Sequence, residues 1–203
     1  MTLLLIFLQL FNFNFQEGDI LFQDCDCGAM CDAIEEVTFG VKNARFSHVA
    51  MVVNDNDSLK VIEANINGVK MVSLEKFLNR YVNKQGNPMV AVGRLESKYQ
   101  YLIPKAVAYS KTLLEKKYDT VFLLNNDVYY CSELIYEAFK NAHENKDFFK
   151  LNKMTFKRPR ERKFQPAFEQ YYKDIKCDIP EGKWGINPGA ISRDKRLTIK
   201  FLY

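Results

Sequence analysis

Three apolar segments, separated by short runs of turn residues, constrain this chain more than any other feature. They read "RFSHVAMVV" (45–53), "LKVIEANI" (59–66) and "VKMV" (69–72), with "NDNDS" and "NG" between them. Alternation and β-branched residues predict strands, and the Asn, Asp and Gly clusters predict tight hairpins. The result is a β-meander. "GDILFQ" (18–23) and "PMVAVGRL" (88–95) add a strand on either side of it in sequence. "SLEKFLNR" (73–80) is expected to be a short helix capped by Ser73. Helical periodicity follows over 103–118, 130–145 and 166–175, and an earlier helix is expected over about 26–38. A last strand is expected after the turn-rich "PEGKWGINPGAIS". Strands first and helices after predict an α+β fold, an antiparallel meander sheet packed against helices.

The hairpin places chemistry as well as structure. Side chains alternate faces along a strand. Phe46, His48, Ala50 and Val52 therefore share one face, and Val61, Glu63 and Asn65 share one face of the next strand. A four-residue turn from Asn54 to Asp57 pairs Val53 with Ser58 and sets His48 directly opposite Glu63. A turn one residue longer sends Glu63 to the other face. A carboxylate facing His48 would fix its tautomer; without one, His48 is an ordinary strand residue.

Further along, "DVYYCSELIYEAF" (127–139) puts Cys131 at the start of an amphipathic helix. The free N–H groups and the dipole of a helix N-terminus favour thiolate. The alternative is a small buried hydrophobe. Tyr130, just before it, is either a hydroxyl donor to an oxyanion or core packing. Glu133 in the first helical turn suits the dipole and reads as structural. Asp119 reads as a local cap. His143 lies three turns beyond Cys131, about 18 Å along the axis, and is not expected to be the base.

The five cysteines, Cys25, Cys27, Cys31, Cys131 and Cys177, leave at least one unpaired if the others form intrachain disulfides. "DCDCGAMC" does not match the spacing of zinc ligand pairs. It reads as the entry to a helix carrying small buried residues, so no metal and no cofactor is expected. A net charge of +4 on 203 residues does not point to nucleic acid. The basic run "KRPRER" (157–162) is read as a solvated loop, with contact to an anionic or membrane surface as the lesser alternative. Residues 1–16 hold an apolar run of signal-peptide length, too short to span a bilayer. They read as a signal peptide, implying export to the periplasm or cell envelope, or as an apolar extension of a cytoplasmic protein. Residues 17–203 are expected to form one domain.

The ordered set "GDILFQ", "RFSHVAMVV", "KVIEA" and "YYCSELIYEAF" resembles the circularly permuted papain-like amidases, a His-first, Cys-last branch of the NlpC-like cysteine hydrolases related to lecithin retinol acyltransferase. The resemblance spans roughly residues 17–140, and "WGINPG" (184–189) extends it into the tail. It implies a permuted papain-like fold with Cys131 as nucleophile, His48 as general base and Glu63 as the group that orients it. It also implies acyl transfer through a thioester. Trp184 is either the roof of an acyl pocket or part of a packed surface loop. Expected substrates are cell-wall peptides or N-acyl amides. A lipid acyltransferase or thioesterase using the same three residues is the alternative, and a non-catalytic binding domain of the same fold is a third reading.

Overall fold

The computed structural model describes residues 13–203. Most of the apolar run at the N-terminus lies outside them. Its described end, Phe13 and Phe15, packs onto one face of the sheet. In chain order the elements are β1 (Ile20–Gln23), α1 (Ala29–Val37), β2 (His48–Asp55), β3 (Ser58–Asn65), β4 (Gly68–Ser73) and α2 (Leu74–Leu78). Then come β5 (Val90–Leu95), α3 (Ile103–Thr112), α4 (Cys131–Ala142), β6 (Asn152–Lys153) and α5 (Pro166–Asp174). The chain closes with β7 (Trp184–Gly185), α6 (Pro188–Ser192) and β8 (Leu197–Phe201). Ser73 caps α2 through the Lys76 N–H, as its sequence predicts.

The main sheet has the order β4-β3-β2-β1-β5-β8, and every neighbouring pair is antiparallel. β1 thus slots between the meander and β5, and β2 becomes an interior strand. Both faces of β2 are buried. Val49, Met51 and Val53 face Leu134, Ile135, Ala138 and Phe139 of α4, while Ala50 and Val52 face Phe77 and Leu78 around α2. Burying each large side chain of α4 contributes about 1.5–3 kcal/mol. This anchors the helix whose first residue is Cys131. A separate cluster of Ala33, Phe156, Phe168 and Tyr172 joins α1 to α5. Among the described residues, no helix is long and apolar enough to cross a membrane.

The first hairpin is tighter than the sequence reading expected. Asp55 pairs with Ser58 and Val53 with Lys60, leaving a two-residue turn, Asn56–Asp57. Both turn residues have positive φ, 51° and 61°. This is the mirror-image turn whose twist matches that of the strands, and Asn and Asp tolerate its left-handed backbone. The register therefore moves by two residues, and His48 is not directly opposite Glu63. A shift of two keeps every side chain on its face. Carried onward, the register sets His48 level with Asn65, and Glu63 lies diagonally from it.

Other boundaries also moved. The helix expected over 103–118 ends at Thr112, and Glu115 follows in a left-handed conformation. The tail contains the short helix α6, capped by the Asn187 side chain, before the expected last strand. Gly68 closes the second hairpin at φ 93°, and a Cβ there would stand 2.6 Å from the Lys116 carbonyl. Gly68→Ala is expected to cost about 1–3 kcal/mol, read as a lowered midpoint in thermal or urea unfolding; an unchanged midpoint would contradict the tight approach of the 113–118 segment to β4.

Candidate active site

The site grows from Glu63. Its carboxylate sits fully buried on β3, an arrangement that is costly unless every oxygen is paired. His48 Nε2 lies 2.7 Å from Glu63 Oε2. The diagonal separation of the two residues is bridged by the length of their side chains. Arg80 donates from Nη1 to Oε2 at 2.8 Å and from Nη2 to Oε1 at 2.6 Å. Asn65 Nδ2 donates to Oε1 at 3.1 Å. Burial alone would raise the carboxyl pKa, but Arg80 and His48 outweigh it and hold Glu63 down at about 2. Glu63 therefore contributes stability above its ordinary pKa of 4.5 that is lost as pH falls towards 2.

Since Nε2 is committed to Glu63, Nδ1 is the ring nitrogen left for Cys131. Cys131 opens α4 as its first helical residue, behind an extended Tyr130, and its sulfur lies 3.7 Å from Ser132 Oγ. Burial opposes the charged form of both His48 and Cys131. Interaction with the thiol and with Glu63 nevertheless raises His48 to about 9. Interaction with His48, helped by Ser132 and the Val49 N–H, brings the Cys131 thiol below its ordinary range. These directions favour a thiolate–imidazolium pair at neutral pH. The stability that His48 draws from its partners is full below its ordinary pKa of 6.5 and is lost as pH rises through about 9.

Two spaces meet at this pair. A narrow slot of about 50 Å³ is lined by Cys131 with Ile34, Val37, Phe122, Phe156 and Phe168, and by Tyr130 and Ile186. An open cleft of about 330 Å³ is lined by His48 with Asn65, Arg80, Tyr81 and the Cys27–Cys31 disulfide. Ile34, Ser47, Tyr118 and Phe122 border both.

The other sequence candidates fall as follows. Tyr130 is buried, and its hydroxyl accepts the Ile186 N–H at 3.1 Å, which leaves its own proton free to donate. Trp184 is half-exposed with the Lys153 ammonium 4.3 Å from its ring centroid, and it lines neither space; its neighbours Ile186, Asn187 and Pro188 line the slot instead. Asp119 caps its own loop by accepting the Val121 and Leu123 N–H groups. Glu133 is buried, with Oε2 unpartnered. Burial, then Asp119, raises its carboxyl to about 8, which weakens its action on the helix dipole as a carboxylate. His143 caps the far end of α4.

The expected helix is present as α1, and Cys27 and Cys31 form a disulfide across its start that the sequence reading did not assign. Arg80 was missed, although "LNR" ends the predicted helix; nothing in that helix's own pattern marks its last residue as the partner of a distant carboxylate. Ser47 was missed too. Its hydroxyl donates to Glu35 at 2.9 Å and accepts the Cys25 N–H at 3.0 Å, fixing the segment just before His48.

With this geometry in place, comparison with known proteins is decisive. The family model described as permuted papain-like amidase enzyme, YaeF/YiiX, C92 family, matches residues 14–199. The chain belongs to this family. It is thus a cysteine hydrolase of the amidase type with a permuted papain-like fold. Its structure is similar to that of the metalloprotein yiiX from Escherichia coli O157:H7, with a TM-score of 0.71, 26% identity, and coverage of 91% of this chain and 96% of that one. No curated protein matches the chain significantly by sequence. Among the described residues of this chain, no three His, Cys, Asp or Glu side chains gather in a way that could hold a metal ion.

The pairing of thiol and imidazole is checked by alkylation. At pH 7, iodoacetamide is expected to label Cys131 at least about tenfold faster in the wild type than in His48→Ala, because one pKa unit is tenfold in thiolate; equal rates would remove the imidazole's influence. Arg80→Ala leaves Glu63 buried with fewer partners and is expected to cost about 2–3 kcal/mol, measured by urea unfolding. No loss would mean that Glu63 does not depend on Arg80.

Proposed function

We propose that the chain cleaves amide bonds through a thioester on Cys131, with His48 as the acid–base group and Glu63 as the residue that orients it. The observation carrying this reading is the imidazole bound through Nε2 to a buried carboxylate while it also shifts the titration of a thiol at a helix start. The thiolate attacks the carbonyl carbon, and the C–N bond breaks as imidazolium Nδ1–H gives its proton to the leaving nitrogen. His48, now neutral, takes a proton from water, which attacks the thioester and releases the acid. The oxyanion formed in each step needs donors aimed at it. The Cys131 N–H is free of helical partners at that position, and the Tyr130 hydroxyl lines the same slot.

Glu63 acts here by holding the ring, and Arg80 acts through Glu63 by keeping it ionised. Small peptides and N-acyl amides fit this chemistry. A lipid acyl transfer would use the same three residues and the same apolar slot beside Cys131. An activated ester separates catalysis from binding alone. p-Nitrophenyl butanoate is expected to leave a butanoyl adduct on Cys131 by mass spectrometry, with steady release of nitrophenolate. Cys131→Ala is expected to fold normally and form no adduct, and His48→Ala to slow acylation by about 10²–10⁴. Unchanged turnover in Cys131→Ala would remove the nucleophile assignment.

A further inference from the structure

The basic run of the sequence takes no part in the proposed chemistry. Residues 153–164 hold Lys153, Lys157, Arg158, Arg160, Arg162 and Lys163 against a single acid, Glu161. This net +5 in 12 residues, against +4 for the whole chain, leaves −1 for everything outside the stretch. A charge concentrated in this way bears on partners rather than on fold.

The fold gathers these cations on a hairpin. Lys157 pairs with Phe164 across an antiparallel bridge, and the Arg158 N–H donates to the Lys163 carbonyl at 2.8 Å. Arg160 and Arg162 stand exposed at the tip. At the base, Lys153 pairs with Trp184 between β6 and β7. Alternation puts Lys153, Thr155 and Lys157 on the outer side with Trp184, while Met154 and Phe156 turn inward and line the slot beside Cys131. Lys157, Arg158, Arg162, Lys163 and Phe164 border a shallow hollow of about 420 Å³, together with the acids Glu161 and Glu169. Arg158 is engaged by Gln165 and Glu161, and Lys157 lies 3.9 Å from Glu181. Among the described residues, no carboxylate pairs with Lys153, Arg160, Arg162 or Lys163.

We infer that this face docks on an anionic membrane surface. Trp184 is the sole Trp of the chain, and it is 55% exposed, with Lys183 before it in sequence and Lys153 across from it. An indole, with an apolar body and a polar N–H, suits the headgroup level of a bilayer, where Trp is enriched. The surrounding cations suit the negative potential of anionic lipids, which falls off within a Debye length and so acts on charges held at the surface. A single-stranded nucleic acid also takes cations and an aromatic, but it needs an open ring face on which to stack a base. Here the Lys153 ammonium lies 4.3 Å from the Trp184 ring centroid and takes one face of the ring. Docking sets the membrane against the outer side of the segment whose inner side, Met154 and Phe156, walls the slot. The contact stands apart from the thioester reading, since it uses none of Cys131, His48, Glu63 and Arg80.

The test mixes the intact chain with vesicles of phosphatidylglycerol and phosphatidylcholine, and separately with vesicles of phosphatidylcholine alone. Because the chain has a single Trp, its emission reports on this face directly. A blue shift and co-sedimentation are expected with the anionic vesicles, and neither with the neutral ones. Both are expected to vanish in about 1 M salt, where the Debye length is about 3 Å. Each Lys or Arg near an anionic surface strengthens partitioning about fivefold. Arg160→Gln combined with Lys163→Gln is therefore expected to weaken it at least about tenfold, with an unchanged thermal unfolding midpoint showing that the variant folds. Sedimentation without a shift of Trp184 emission would place the contact elsewhere on the chain and overturn the inference. Absence of binding, equal binding to neutral vesicles, or full binding by the double variant would overturn it as well. A larger Trp184 response to a single-stranded oligonucleotide than to anionic vesicles would make nucleic acid the partner instead.

Discussion

The buried carboxylate of Glu63 is the constraint on which the rest of the site depends. A charged group taken out of water costs several kcal/mol unless its oxygens are all engaged. Glu63 meets that condition only when three separate parts of the chain arrive together. β2 brings His48, the end of β3 brings Asn65, and the turn after α2 brings Arg80. Arg80 in turn lies 5.2 Å from the ring of Phe77 in α2, whose carbonyl accepts from the buried Gln23 side chain. Gln23 is the β1 partner of His48. The sheet, α2 and the imidazole are thus held in one closed set of polar contacts on one face of the sheet. α4 packs against the other face and delivers Cys131 past the end of β2.

Much of this was legible in the sequence because the governing property is parity. Alternation along "RFSHVAMVV" and "KVIEANI" assigns His48 and Glu63 to one face for any register differing by an even number of residues. The expected four-residue turn was wrong, and the actual Asn56–Asp57 turn shifts the pairing by two, yet the face assignment survives. The distance between the side chains was then a matter of their length, and it closed to 2.7 Å. The position of Cys131 was legible for a similar reason. The apolar pattern of α4 requires a start near Tyr130, and its packing on β2 follows from the same stripe.

What was not legible depends on segments far apart in sequence. The slot beside Cys131 is built from α1, residues 118–122, residues 154–156, α5 and the 186–188 turn, and no local pattern marks these as neighbours. Trp184 stood out as the lone Trp of the chain, but it is the apolar Ile186 two residues later that faces the slot. The Cys27–Cys31 disulfide has the same explanation: spacing alone leaves the pairing of five cysteines open. Glu133 keeps the structural place its first-turn position predicts, but its burial is not legible locally, and burial beside Asp119 raises its pKa.

Cys25 and Cys131 show why burial alone does not decide whether a thiol reacts. Both are nearly inaccessible, at 8% and 7%, and desolvation raises the pKa of each. Cys25 has Gln23 and the Ser47 hydroxyl as its polar neighbours, and its thiol is pushed up to about 12. Cys131 has an imidazole, a second hydroxyl and a strand N–H, and its thiol is brought down. The imidazole can do this because it is itself held positive by Glu63, and Glu63 stays ionised because of Arg80. The reactivity of the thiol is therefore set three contacts away, through His48 and Glu63, at the Arg80 guanidinium that borders the open cleft.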